Sequence, residues 1–427
     1  MKQSVEPVHL MGISANQLCA LLLIWMLLPP LRVPGPMPDI HLGFVAVLLL
    51  VADNIGRALI AGRGILRHDA SIRWFVGFSV CVALSLLISA TRQQGSIALR
   101  DLTELARPLL YALVFLLAAN TKLRTLDMDR VYRVLLIAFL VSALFGFAQY
   151  FDLAGINGVV SPYYAPTQMD GLLLHQRITG TTGNPNEFGA LMVLASALAL
   201  GWGFFSNRLI RKISSLILVG VFTSAMILTL SRSALIVWAI AIGLALFAIY
   251  PRIGGSVRAI HGILFVAIVA VVVMALLPAG IFDRAAGMAN LAMDSSWQAR
   301  LGKWREALVA WQRFPILGWG PAETTMLSTV DNEWILVLRR YGLLGMSVFL
   351  CLCLSLYSAV ARVGRRRKGR AATALSVSLQ AVLVGYAVYM IPASVYHSLQ
   401  LMPILLLLVG LCLSQWGQAG RCAGMPS

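Results

Sequence analysis

Two isolated arginines in polar turns are the first residues whose surroundings indicate chemistry. Arg232 stands between two serines, near the middle of an apolar run from Ile213 to Tyr250. Arg177 opens a segment rich in Gly and Thr that ends in Asn184-Pro185-Asn186. A guanidinium presents a planar fork of N–H donors that suits phosphate. Both arginines are therefore candidate ligands of an anion. The alternatives are an Arg232 side chain that reaches lipid headgroups and an Asn-Pro pair that only caps a helix.

A second group of charges begins at Asp331-Asn332-Glu333 and continues at Arg339 and Arg340. Glu333 and Arg340 lie about two helical turns apart, which places them on one helix face. A charge near the centre of a bilayer costs at least about 2.5 kcal/mol, so these residues either pair with each other or line a wet cavity. We predict a substrate cavity. In it Asp331, oriented by Asn332, acts as a base or positions a hydroxyl, and Arg339 is a further anion ligand.

A tryptophan-rich segment precedes this group. Its apolar residues recur at intervals of four and three, as on one face of a helix: Trp297, Leu301, Trp304, Leu308 and Trp311. Because tryptophan prefers the membrane interface, the pattern predicts an amphipathic helix along the outer membrane surface. Arg300 borders the apolar stripe and is another candidate anion ligand.

The composition excludes a soluble protein. Of the 427 residues, 59% are hydrophobic and 12% are charged, and the mean hydropathy is +0.82. Soluble domains carry about 25% charged residues. The formal charge of +17 indicates basic loops between membrane spans and not a nucleic-acid partner, because the arginines and lysines collect in short segments. The six cysteines lie in or beside apolar runs without metal-ligand spacing, so we interpret them as core residues.

Apolar runs of membrane-crossing length predict an all-α polytopic membrane protein with about 12 transmembrane helices. The predicted spans are 12–31, 40–56, 72–90, 106–120, 132–152, 185–205, 212–230, 233–250, 259–278, 333–361, 371–390 and 398–416. Every second loop is rich in Arg and Lys, which predicts cytoplasmic termini in a bacterial inner membrane. The chain then forms one integral membrane domain, 1–427. Its largest periplasmic loop, 279–332, contains the amphipathic helix.

Taken together, these motifs resemble the O-antigen ligase and polymerase family. The resemblance covers roughly residues 130–350. The segments that carry it are Arg177 with Gly180-Thr181-Thr182-Gly183-Asn184-Pro185-Asn186, Leu230-Ser231-Arg232-Ser233-Ala234, Arg300 with Trp304, Pro315-Ile316-Leu317-Gly318-Trp319-Gly320, Asp331-Asn332-Glu333-Trp334-Ile335-Leu336 and Tyr341-Gly342-Leu343-Leu344-Gly345.

The resemblance implies a metal-independent glycosyltransferase without a cofactor. Such enzymes take a glycan from undecaprenyl diphosphate at the periplasmic face. Polymerases pass it to another lipid-linked repeat unit, and ligases pass it to lipid A-core oligosaccharide. The family pattern implies that Arg232 and Arg300 hold the diphosphate and neutralise its charge as it leaves. A flippase and a chain-length regulator are implied partners, beside the lipid-linked glycan and the bilayer.

One departure from the family pattern favours a polymerase over a ligase. Ligases of this family are expected to carry a histidine immediately before the Asn-Glu pair, where this chain has Asp331. His175 and His397 are predicted to be external, but they stand outside the motif in sequence. A secondary transporter or flippase is the alternative from another class, since intramembrane charges suit it too. Against that alternative, the charges gather at one face.

Overall fold

A computed structural model describes most of the chain as helix. The described residues are 13–31, 40–60, 70–92, 99–121, 125–175, 177–249, 295–321, 330–365 and 369–422. Within these ranges the extended backbone amounts to one isolated antiparallel bridge, between Leu31 and Ile40. The fold class predicted from the sequence, an all-α membrane protein, agrees with this content.

The helices are numbered here in chain order. They are α1 Ala15–Leu27, α2 Leu42–Ile60, α3 Ala70–Arg92, α4 Leu99–Ala119, α5 Thr125–Tyr150, α6 Ile156–Val159, α7 Ser161–Tyr164, α8 Met169–His175, α9 Pro185–Phe204, α10 Leu209–Leu228, α11 Arg232–Ile249, α12 Ser295–Gln312, α13 Glu333–Arg365, α14 Arg370–Tyr389 and α15 Leu401–Cys422. Short 3-10 turns cover Leu153–Gly155, Pro166–Gln168 and Gly180–Thr182.

Eight helices of the described ranges contain a stretch long and apolar enough to cross a membrane. They are α3, α4, α5, α9, α10, α11, α13 and α14, and shorter apolar stretches lie in α1 and α15. The chain is therefore a multi-pass membrane protein. The count of twelve remains a prediction. The predicted span 259–278 and much of the predicted loop 279–332 lie outside the described residues.

Helix α9 is the most enclosed of the eight candidate spans. Two of its glycines permit close approach, because a Cβ on Gly201 would lie 2.4 Å from Ser378 Oγ and one on Gly203 would lie 2.2 Å from Ser215 Oγ. The two serine hydroxyls donate to backbone carbonyls of α9 over 2.7 and 2.6 Å. Small residues and hydroxyl bonds are the usual means of helix packing in membranes, where apolar contact alone drives little association. Helix α9 is consequently held between α10, α11 and α14.

Helix α13 is broken near its start. Gly342 has φ 65° and ψ −166°, which is not a helical conformation. The loop after α12 fills the break: Trp319 N–H donates to Arg339 O over 2.8 Å and Gly320 N–H donates to Arg340 O over 2.9 Å. Irregular backbone is tolerated at membrane depth where protein groups satisfy it. The break separates the first turns of α13, which carry the predicted site charges, from its long apolar part.

Candidate functional site

The tip between α10 and α11 is the centre of the first site. The long apolar run is interrupted where the sequence predicted it, since α10 ends at Leu228 and α11 begins at Arg232. Leu230 has φ 54°, a left-handed conformation that costs a non-glycine residue roughly 1–2 kcal/mol. Such strain persists only where the surroundings enforce it, often at functional positions.

Side chains from two other segments hold this tip in place. Arg177 donates from Nε to Thr229 O over 2.9 Å and from Nη2 to Asn186 Oδ1 over 3.0 Å. The Ser231 hydroxyl donates to the same Asn186 oxygen over 3.0 Å. Asn186 is the second residue of α9, so the start of α9, the tip and the Arg177 segment form one unit. We call it the tip cluster: Arg177, Asn186, Thr229, Ser231 and Arg232.

One buried glutamine fixes the backbone of the glycine-rich segment before α9. Gln149 Oε1 accepts hydrogen bonds from Thr179 N–H over 3.2 Å and from Gly180 N–H over 2.8 Å. Gly180 and Gly183 have φ of 52° and 72°, and a Cβ on Gly183 would lie 1.9 Å from Tyr164 O. Asn184 caps α9 by accepting from Asn186 N–H over 2.9 Å, as the Asn-Pro pair predicted. The backbone of this segment therefore requires glycine at these positions, and the resulting turn places Arg177 at the tip.

The electrostatics of the tip cluster favour an anion. A cation in the first turn of a helix opposes the helix dipole by about 0.3–1 kcal/mol, yet α11 begins with Arg232. Free backbone N–H groups at a helix N-terminus also attract anions. Here the N-termini of α9 and α11 meet through the bond between Asn186 and Ser231. Two arginines beside two helix N-termini form a site suited to phosphate oxygens.

Asp331 lies beside Arg300, at the start of α13. Arg300 Nε is 3.8 Å from Asp331 Oδ2, and the Asp331 side chain is 47% exposed. The pair belongs to the region where α12 packs on α13, through Trp304 and Ala307 against Ile335 and Leu336. The start of α13 and the tip cluster both contact the end of α14, because Glu333 N–H donates to Met390 O over 2.8 Å and the Tyr389 hydroxyl donates to Asn186 O over 2.7 Å.

Asn332 lies at the start of α13, and Arg339 lies further along the same helix. The Asn332 side chain caps α13 by accepting from Ile335 N–H over 3.0 Å, and the Asn332 residue is 4% exposed. Arg339 is buried in the first turns of α13, before the break at Gly342. The helix predicted around Trp304 is present as α12, although a position along the membrane surface stays a prediction.

A buried ionic network from two helices and a loop lies beside these residues. Glu104 of α4 accepts from Arg107 over 2.5 Å and from Arg340 over 3.1 Å, and Tyr341 and His397 also donate to it. His397 Nδ1 lies 2.6 Å from Glu333 Oε1. Glu104 is 4% exposed and Glu333 is 0% exposed. Breaking a buried network of this kind is strongly destabilising, because removing one partner leaves another charge buried and unpaired.

Two sequence interpretations change as a result. In the part of the chain that the structure describes, Glu333 binds His397 and Arg340 binds Glu104, so each has a partner from another segment. His397 stands outside the motif in sequence, but it contacts Glu333 in space. Glu104 was not among the residues predicted for the site, and its one signal is a carboxylate within the apolar helix α4. Spacing along one helix could not reveal partners contributed by distant segments.

The His397 imidazole gives the network a pH dependence. Burial lowers the pKa of His397, but the Glu333 and Glu104 carboxylates outweigh burial and raise it above the ordinary value. A raised pKa stabilises the fold fully below the unfolded value of about 6.5, and this contribution is lost as pH rises through the folded pKa. We expect the thermal midpoint of the purified protein to fall as pH rises from about 6 to 9. A His397→Gln variant should show a smaller fall, and equal slopes for both proteins would contradict this role.

The loop between α14 and α15 connects the network to the tip cluster. In this loop Tyr396 N–H donates to Glu333 Oε2 over 2.9 Å, and the Ser398 hydroxyl donates to Glu187 of α9. Glu187 follows Asn186 in sequence. Both clusters therefore lie at one end of the helix bundle. That this end faces outwards is a prediction from the basic loops of the sequence.

Comparison with known proteins agrees with the motif resemblance. Residues 222–350 match the family model described as O-antigen ligase. This range contains the tip with Arg232, the Arg300–Asp331 pair, the loop that fills the break, and Gly342. Arg177, Asn186, Glu104 and His397 lie outside it. No curated protein matches the chain. Residues 222–350 of this multi-pass membrane protein are therefore similar to the O-antigen ligase family, in agreement with the ordered motifs.

Proposed function

We propose that this protein is a polysaccharide polymerase acting on undecaprenyl-diphosphate-linked repeat units at the periplasmic face of the inner membrane. The observation that carries the proposal is the tip cluster. It sets Arg232 at a helix N-terminus in a strained turn, beside a second arginine and a second helix N-terminus. This arrangement suits a lipid-linked diphosphate, whose charge grows on the leaving oxygen during transfer.

The proposed reaction transfers a glycan from its lipid carrier. A hydroxyl of the acceptor attacks the anomeric carbon, the bond from that carbon to the diphosphate oxygen breaks, and undecaprenyl diphosphate leaves. Arg232 and Arg300 bind the diphosphate, with Arg177 and Arg339 as supporting cations. Asp331 takes the proton of the acceptor hydroxyl. Its exposed side chain at the start of α13 suits contact with an acceptor that arrives from outside.

Reconstitution tests the proposal. Purified protein in nanodiscs is incubated with undecaprenyl-diphosphate repeat units from its host, and the products are resolved on a gel. A ladder of lengthening lipid-linked glycans is expected. A single transfer that requires lipid A-core oligosaccharide would make the protein a ligase instead. No product in either assay would contradict the glycosyltransferase proposal and favour a transporter.

Replacing Asp331 tests its role as a base. Asp331→Asn should slow chain extension by roughly 10²- to 10⁴-fold, the usual contribution of a general base. Asp331→His should retain more activity than Asp331→Asn, because an imidazole also accepts a proton. Asp170→Asn is the matched control, an exposed carboxylate of α8. Wild-type turnover in Asp331→Asn would remove Asp331 from the reaction.

A further inference from the structure

Glu187, in the first turn of α9, differs from the other carboxylates at this end of the bundle. Glu104 and Glu333 are bound by cationic side chains and nearly sealed from solvent. Glu187 has no ion pair within the part of the chain that the structure describes. Its one side-chain hydrogen bond there comes from the Ser398 hydroxyl, and its side chain stays partly exposed.

Ser398 holds the Glu187 carboxylate in a defined position. The Ser398 oxygen accepts from Leu401 N–H over 3.1 Å, which caps the start of α15, while its hydroxyl donates to Glu187. One carboxylate can accept about four hydrogen bonds. Glu187 is thus anchored by one hydrogen bond, and its carboxylate can accept others.

An ionisable residue within a membrane span raises the free energy of the folded protein, so such residues usually have a partner or a function. The N-terminus of α9 offsets only part of this cost, because helix-dipole effects are small. A hydrogen-bond donor from a ligand would complete the bonding of Glu187. Phosphate oxygens do not qualify, since they repel a carboxylate.

The position of Glu187 indicates which donor this is. Its neighbour Asn186 binds both Arg177 and Ser231 in the tip cluster. Consecutive residues are about 3.8 Å apart, so Glu187 borders the proposed diphosphate site. The group joined directly to that diphosphate is the first sugar of the glycan, and its hydroxyls are hydrogen-bond donors.

We propose that Glu187 binds hydroxyl groups of the sugar attached to the diphosphate and thereby helps to select the donor glycan. This inference rests on the proposed function. Glu187 binds the neutral part of the donor and Arg232 its charged part. Ser398 acts as a positioning residue for Glu187.

Binding measurements with two lipids test the inference without any need for turnover. Nanodisc-embedded protein is titrated with undecaprenyl diphosphate alone and with the host's undecaprenyl-diphosphate repeat unit. Wild type should bind the glycan-bearing lipid more tightly. Glu187→Ala should lose about tenfold or more of affinity for that lipid, with little change for the bare lipid, since hydrogen bonds to charged groups are strong. Glu187→Gln keeps an oxygen acceptor and should lose less.

Controls separate the possible failures. Glu306→Gln removes an exposed carboxylate of α12 and should leave both affinities unchanged. Arg232→Ala should weaken both lipids. If wild type binds neither lipid, the proposed function fails and the inference fails with it. If wild type binds both lipids equally, or if folded Glu187→Ala and Glu187→Gln keep the wild-type preference, the inference alone is overturned.

Discussion

The Arg232→Ala variant is expected to produce no polymer, while the amount of protein in the membrane stays normal. Arg232 is the first residue of α11, where a cation is unfavourable and alanine is an excellent helix former. Alanine therefore suits the helix at this position. Loss of a preorganised donor to the leaving group slows an enzyme by roughly 10²- to 10³-fold. Chain length on a gel and protein level by immunoblot measure the two halves of the prediction.

Two further variants define what Arg232 contributes. Arg232→Lys keeps the charge but loses the planar donor fork, so partial activity is expected. Arg313→Ala removes an exposed arginine just beyond α12 and serves as the matched control, with normal polymer. Normal polymer length in Arg232→Ala would exclude Arg232 from the mechanism and leave Arg177 to stabilise a purely structural turn.

Local sequence signals predicted the parts of this molecule that depend on neighbouring residues. The break in the apolar run from Ile213 to Tyr250 was predictable, because a single helix of that length is too long for one crossing of a bilayer. The cap at Asn184 and the helix α12 were predictable because side-chain chemistry and periodicity act within a few residues.

The buried network was not predictable, because its members come from α4, α13 and the loop before α15. The spacing within α13 predicts only that Glu333 and Arg340 share a helix face, where they either pair with each other or line a cavity. Nothing in the sequence places His397 against Glu333 at 2.6 Å. The segments that contain Arg177, Asn186 and Ser231 were identified from the sequence. The contacts among these residues depend on the packing of α9 against α11, which the sequence does not give.

Gly342→Ala is expected to lower both thermal stability and chain extension strongly. Gly342 has φ 65° and ψ −166°, a region that glycine alone occupies readily and that costs other residues about 1–3 kcal/mol. A Cβ there would also lie 2.3 Å from Ile316 O, a backbone atom that cannot move independently. The alanine variant must therefore shift the loop or straighten the helix. Either change would break the bonds from Trp319 and Gly320 to the carbonyls of Arg339 and Arg340.

Gly243→Ala is the matched control for this prediction. Gly243 lies inside α11 with open space around it, so alanine should be neutral there or stabilise by up to about 1 kcal/mol. Thermal unfolding in detergent and the polymerisation assay compare the two variants. If Gly342→Ala matches the control in both, the break in α13 is a tolerant hinge. A low midpoint together with lost activity would show that the loop and the broken helix hold the Asp331 end of α13 in its working position.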